Sequence, residues 1–206
     1  MSPETYSWVP TEVQLAAANV VRLARRLGCA DYDSLHRVSV EEPERFWQAV
    51  RDDLAIPLSH SWDRVLDDSR GIEWTTWFEG ARLNLAEACV HRWAGESPDE
   101  EAAVWQSEDG ERSSLSWSEL SRETTRLAEA LAGLGIRQGD AVGIFLPMSP
   151  QVAIASHACA HIGAIQVPVF SGFAAPAIAT RLADAGARAL ITADGSLRRG
   201  TAVPMK

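Results

Sequence analysis

Hydrophobic positions along this chain change their spacing repeatedly, and each change marks an element or a boundary. From Thr11 onward, Val13, Ala16, Ala17, Val20, Val21, Ala24 and Leu27 recur on one face of a helical repeat, and Gly28 predicts its stop. Ser39 and Glu42 stand at capping-box spacing ahead of a second helical pattern carrying Phe46, Trp47, Val50 and Leu54. From Pro57 to Asn84 the periodicity is lost and a loop-rich segment is predicted, with Trp62, Trp74, Trp77 and Phe78 set among polar and acidic residues. Aromatic residues in that setting suit a stacking platform for bases or sugars, or the anchoring of an irregular segment to a neighbouring domain. The acidity of the segment would repel phosphates and favours anchoring.

Beyond Leu85 the pattern tightens. A helix through Val90 and Trp93 is predicted to end near Gly95, and residues 102–105 and 113–115 read as two strands joined by the Glu108-Asp109-Gly110 turn. Ser116 and Glu119 form a second capping-box pair, and Leu120, Thr124, Leu127, Leu131 and Leu134 then trace an amphipathic stripe closed by Gly135.

Residues 141–180 contain no Asp, Glu, Lys or Arg. Pro147, Pro150, Gly163, Pro168, Gly172 and Pro176 cut this run into short pieces, and His157, His161, Gln151 and Gln166 would be costly in lipid, so it is not read as a membrane span. The pieces predict strands at 142–146 and 165–169, a helix opened by Ser149 and Pro150 and ended by Gly163, and a helix over 174–185 stopped by Gly186. A third strand follows at Ala189–Thr192. Apolar strands linked by helices pair in parallel with right-handed crossovers. The expected fold is therefore α/β: an incomplete doubly wound, mostly parallel sheet with flanking helices, preceded by a helical and loop-rich N-terminal cap. After the third strand only fourteen residues remain, with no further helix, and an uncovered flank or edge of the sheet is expected.

Charge narrows the candidate partners. The net charge of −9 disfavours nucleic acid and anionic membrane. Residues 181–206 run the other way, with Arg181, Arg188, Arg198, Arg199 and Lys206 against Asp184 and Asp194. Cys29, Cys89 and Cys159 share no metal or redox spacing and the N-terminus lacks the pattern of a signal peptide, which together predict a reduced, cytoplasmic setting. His157-x-Cys159-x-His161 has metal-binding residue types, but on a helix Cys159 lies about 200° round from His157. No metal site is expected.

Catalytic signatures are absent. Leu146-Pro147-Met148-Ser149-Pro150 lacks the glycines of a dinucleotide turn, no phosphate-loop motif occurs, and Ser171 is not in a hydrolase elbow. Two stretches carry binding potential. Ser171 and Gly172 fall just past the C-terminal end of the second core strand, where open α/β sheets bind ligands. Arg198, Arg199 and Gly200 fall past the third strand, and arginines beside backbone donors suit a phosphate as well as they suit a solvated loop.

Five segments also carry a resemblance: WFEGARLNLAE (77–87), EDGERSSLSWSEL (108–120), GDAVGIFLPMSP (139–150), FSGF (170–173) and ITADGSLRRG (191–200). In order and spacing they resemble the N-terminal part of acetyl-CoA synthetase and related AMP-forming short-chain acyl-CoA synthetases, with forms similar to acetoacetyl-CoA synthetase-like members. The resemblance divides the chain into a cap over 1–88 and the start of an AMP-binding, adenylate-forming domain over 89–206. It implies ATP and CoA as substrates of the full-length family. It places contacts to the nucleotide end of CoA at Phe170, Ser171, Gly172 and Arg198, with Ser171 standing where the family has Gly and Thr201 where a second basic residue is usual. The family's phosphate loop, acyl pocket and catalytic lysine lie beyond residue 206, and Lys206 is the one lysine here. The chain alone is accordingly expected to be inactive, with no catalytic residue of its own. A missing C-terminal portion or separate subunit would be its partner. The alternative is a non-catalytic module that binds CoA nucleotide or another subunit.

Overall fold

In the computed structural model, which describes residues 7–205, the first expected helix is broken in two. α1 (Glu12–Ala17) and α2 (Asn19–Arg26) meet at Ala18, whose backbone is extended at φ −72° and ψ 132°. α1 buries no residue, so nothing holds it in line with α2. α2 is fixed from its other side. Leu23, Ala24 and Leu27 pack with Leu35, Phe46 and Ala49, and Arg22 grips Asp53 through two bonds of 2.9 and 2.8 Å.

The expected Ser39–Glu42 capping box does not form. Ser39 lies inside α3 (Tyr32–Glu41), where its hydroxyl donates to the His36 carbonyl at 2.7 Å. The break falls at Glu42 because Pro43 disfavours helical backbone in the residue before it while suiting the first turn of α4 (Pro43–Asp53). Capping boxes occur instead at Thr11–Gln14 and Asp31–Ser34.

Within the expected loop-rich segment, β1 (Arg64–Asp67) and β2 (Thr76–Glu79) pair antiparallel. The aromatic residues find partners in this same unit, which extends to Arg82. Trp62 meets Phe78 edge-on with ring centres 5.5 Å apart, Trp47 meets Trp77 at 5.9 Å, and the Arg51 guanidinium lies 5.0 Å above the Trp62 ring.

The second compact unit begins at Leu83. A widened helical turn over Glu87–His91, with Val90 fully buried, runs into α5 (Arg92–Glu96). β3 (Glu101–Gln106) and β4 (Arg112–Ser116) form the expected hairpin. α6 (Trp117–Gly133) opens on the expected box, with the Glu119 amide donating to Ser116 Oγ at 3.2 Å and the Ser116 amide to Glu119 Oε2 at 2.9 Å. Its stripe buries Leu120, Thr124, Ala128 and Leu131. Leu134 stands at the C-cap, beyond the helical repeat, and is 78% exposed.

β5 (Ala141–Phe145) is buried along its whole length. α7 (Pro150–His161) leads from it to β6 (Ile165–Pro168), and α8 (Ala175–Asp184) leads on to β7 (Ala189–Thr192). The three strands are parallel in the order β6-β5-β7, with Val142 between Gln166 and Ala189. Val142 and Ile144 pack against Ala128 and Leu131 of α6 and Ala155, Ala158 and Cys159 of α7. Gly143 alternates away from that face, and a Cβ there would lie 2.5 Å from Leu182 Cδ2 of α8. Ser149 takes the N-cap conformation before Pro150, but its hydroxyl makes no capping bond.

After β7 the chain holds no further helix among the described residues, but it does hold two strands that the sequence reading did not name. β8 (Gly195–Arg198) and β9 (Thr201–Pro204) form an antiparallel hairpin. Its two central turn residues, Arg199 and Gly200, both have positive φ (51° and 71°), the conformation whose twist matches paired strands. Among the described residues no helix is long and apolar enough to cross a membrane.

Candidate functional site

The ends of the parallel strands open onto a groove of about 740 Å³ in the second unit, within the size range of small-molecule sites. Four pieces of chain build it. Leu146–Ser149 leave β5, Phe170 and Ser171 follow β6, the β8–β9 hairpin contributes Leu197 and Arg198, and the β3–β4 turn contributes Ser107, Glu108 and Asp109. The loop after β5 is held in place by Trp105, whose indole N–H donates to the Met148 carbonyl at 2.6 Å.

Phe170-Ser171-Gly172-Phe173 closes as a tight turn, with the Phe173 amide donating to the Phe170 carbonyl at 3.0 Å. The two rings meet edge-on at 5.7 Å, and Arg181 of α8 lies 4.3 Å over Phe173. Phe170 remains 63% exposed, which leaves an aromatic face for a planar ligand. Gly172 allows close approach here. A Cβ on it would lie 2.7 Å from Phe170 Cε1 and 3.1 Å from Arg198 Nη1. The structure thus brings Phe170, Ser171, Gly172 and Arg198 together, although 26 residues separate Gly172 from Arg198 in sequence.

Arg198 is the one cation among the described residues lining the groove, and it makes no ion pair with another described residue. An acidic turn lines the same groove. Asp109 accepts from the Ser107 hydroxyl, and this bond first, with the Glu111 backbone second, holds its carboxyl below the usual range. Glu108 accepts from the Gly200 amide at the hairpin tip, 3.1 Å away. This acidic wall escapes sequence reading because its residues belong to a hairpin turn nearly a hundred residues from Arg198. The β8–β9 hairpin had one legible signal, the Arg199-Gly200 pair between short alternating segments.

The His157-Cys159-His161 trio does not converge. Cys159 is buried in the core, His157 bonds the Ala153 carbonyl at 2.7 Å, and His161 Nδ1 lies 2.9 Å from His91 Nε2. Ser121 Oγ completes the set at 2.8 Å from His91 Nδ1. Burial first, and the nearby His161 second, push the His91 pKa below its ordinary value against a lesser opposing pull from Glu87, with His157 adding the smallest push down. The unfolded chain then takes up this proton first, so His91 makes stability fall as pH drops below about 6.5. Urea unfolding of wild type and His91→Asn at neutral and mildly acidic pH should show a smaller loss of midpoint in the variant.

The family model for AMP-binding enzymes matches residues 90–204, more than half of the chain. The chain belongs to the AMP-binding enzyme family. The model for the acetyl-coenzyme A synthetase N-terminus matches residues 32–89 of this AMP-binding family member. The order of the two matches is that of the N-terminal part of an acyl-CoA synthetase. The acetyl-coenzyme A synthetase of Deinococcus radiodurans is 40% identical over 185 residues, covering 88% of this chain and 27% of the relative. The 3-hydroxypropionyl-coenzyme A synthetase of Sulfurisphaera tokodaii is 39% identical over 176 residues, covering 85% of this chain and 26% of the relative. The solved acetoacetyl-CoA synthetase from Streptomyces lividans superposes with a TM-score of 0.88 at 34% identity, covering 96% of this chain and 31% of that one. This AMP-binding family member therefore spans about a quarter of the length of the curated relatives it matches.

Proposed function

We propose that these 206 residues are the opening part of an AMP-forming acyl-CoA synthetase, and that their own contribution is a subsite for the nucleotide end of CoA. One observation carries the reading: the Phe170–Gly172 turn and Arg198 meet at one groove, with Arg198 Nη1 3.1 Å from where a Gly172 side chain would begin. An exposed aromatic face supports a purine, and a guanidinium without an ion pair among the described residues supports a phosphate. In this reading the cap spans 1–88 and the adenylate-forming domain starts at 89. The parallel strands β6-β5-β7 are the first of a doubly wound sheet, and the setting is cytoplasmic.

The reaction of the whole enzyme joins a short-chain carboxylic acid to CoA through an acyl-adenylate, with release of pyrophosphate and AMP. The groove contributes binding and not adenylation. The sequence offers no lysine besides Lys206 for charge on a transferring phosphoryl group. The 206-residue chain should catalyse no acid-dependent exchange of pyrophosphate into ATP, measured with acetate and acetoacetate. Exchange above the protein-free control would overturn this part. The second reading, a non-catalytic module binding CoA nucleotide or a subunit that supplies the rest of the enzyme, is favoured by the same groove being formed within these residues.

A further inference from the structure

We infer that Glu108 is a resident competitor for the anionic ligand of this groove, seated on a backbone donor beside Arg198 and displaced when phosphate enters. The inference rests on the groove being a phosphate-bearing ligand site, and it concerns regulation of entry to that site. The tip of the β8–β9 hairpin offers an anion two kinds of donor: the Gly200 N–H and, among the described residues lining the groove, the Arg198 guanidinium. Glu108 Oε2 accepts from the Gly200 amide at 3.1 Å. Neither Arg198 nor Arg199 forms an ion pair with Glu108 or with another described residue. A carboxylate therefore sits on the turn's backbone donor while the Arg198 guanidinium carries no ion pair with a described residue.

Glu108 belongs to the exposed β3–β4 turn, whose shape is fixed by other bonds. The Glu111 amide donates to Ser107 Oγ at 3.0 Å, the Ser107 amide to the Glu111 carbonyl at 2.9 Å, and the Gly110 amide to the Ser107 carbonyl at 3.0 Å. Release of the Glu108 side chain would thus leave the turn intact. The latch has two consequences. Without ligand it ties the hairpin tip to the acidic turn. With ligand, a phosphate must exchange places with the carboxylate or bind beside it against like-charge repulsion. A weakly charged ligand cannot make that exchange, so the latch selects for a strongly charged phosphate end.

Glu108→Gln separates charge from hydrogen bonding, because the amide oxygen still accepts from Gly200 N–H. Calorimetry with adenosine 3′,5′-bisphosphate should show binding tightened by roughly three- to tenfold in E108Q at low salt, with the gain shrinking at high salt. Adenosine should bind both proteins alike. Equal or weaker binding of the bisphosphate by E108Q overturns the proposal. Pyrophosphate, followed through the Gly200 amide resonance of the full chain, tests the latch apart from the nucleotide reading. A response stronger in E108Q than in wild type supports the latch even if no adenine nucleotide binds. A response equal in both proteins, or absent from both, overturns it.

Discussion

Replacing Val142 with Asp is expected to abolish cooperative folding of the second unit. Val142 is fully buried in the central strand, between β6 and β7, and packs on the α6 and α7 side chains. The side chains that surround it in this cluster are Ala, Leu, Ile and Cys, and none can pair with a carboxylate. The new acid would be buried charged or neutral, with an unmet polar group in either form. The combined loss is about 4 kcal/mol or more, against a total stability of roughly 5–15 kcal/mol for an ordinary domain. Val142→Ala is the graded control, and should cost about 2 kcal/mol in methyl burial and residual cavity. Urea unfolding followed by circular dichroism reads both. An unchanged midpoint for Val142→Asp would mean that β5 is not the interior strand.

The same segment shows what was legible beforehand. The uncharged run cut by Pro and Gly, together with the Gly186 stop and the apolar segment after it, yields β5, α7, β6, α8 and β7 from the sequence with small shifts at their ends. The Ser116–Glu119 box was legible because both of its bonds are local. Ser39–Glu42 had the same spacing and failed, since Pro43 decides the boundary there. The break at Ala18 left no mark, because α1 packs against nothing that would select its hydrophobic face. β1, β2, β8 and β9 are short strands whose pairing depends on turns, and four-residue segments carry little periodicity. For the groove, Phe170–Gly172 and Arg198 could be named from strand ends and resemblance. The wall formed by Trp105, Glu108 and Asp109 depends on a long-range approach of two hairpins, which no local pattern encodes.

Arg198→Ala is expected to weaken CoA binding by roughly ten- to a hundredfold, the worth of a charge-assisted hydrogen bond to phosphate. The size of the effect follows from the composition of the groove. Arg198 is its one cation among the described lining residues, and Glu108, Asp109 and Glu111 line the same groove. Without the guanidinium every charged residue among the described lining is an acid. Arg198→Lys should recover part of the loss, since an ammonium restores the charge but not the planar two-pronged contact. Stability should barely change in either variant, because Arg198 forms no ion pair with a described residue.

The most direct measurement is a calorimetric titration of CoA into the 206-residue chain, run beside Arg198→Ala and repeated with dephospho-CoA. Saturable heat with wild type, loss of that heat in the variant, and weaker binding of dephospho-CoA are the expected results. No heat with the wild-type chain, or equal heats for wild type and Arg198→Ala, would contradict a CoA-nucleotide subsite at the Phe170–Arg198 groove.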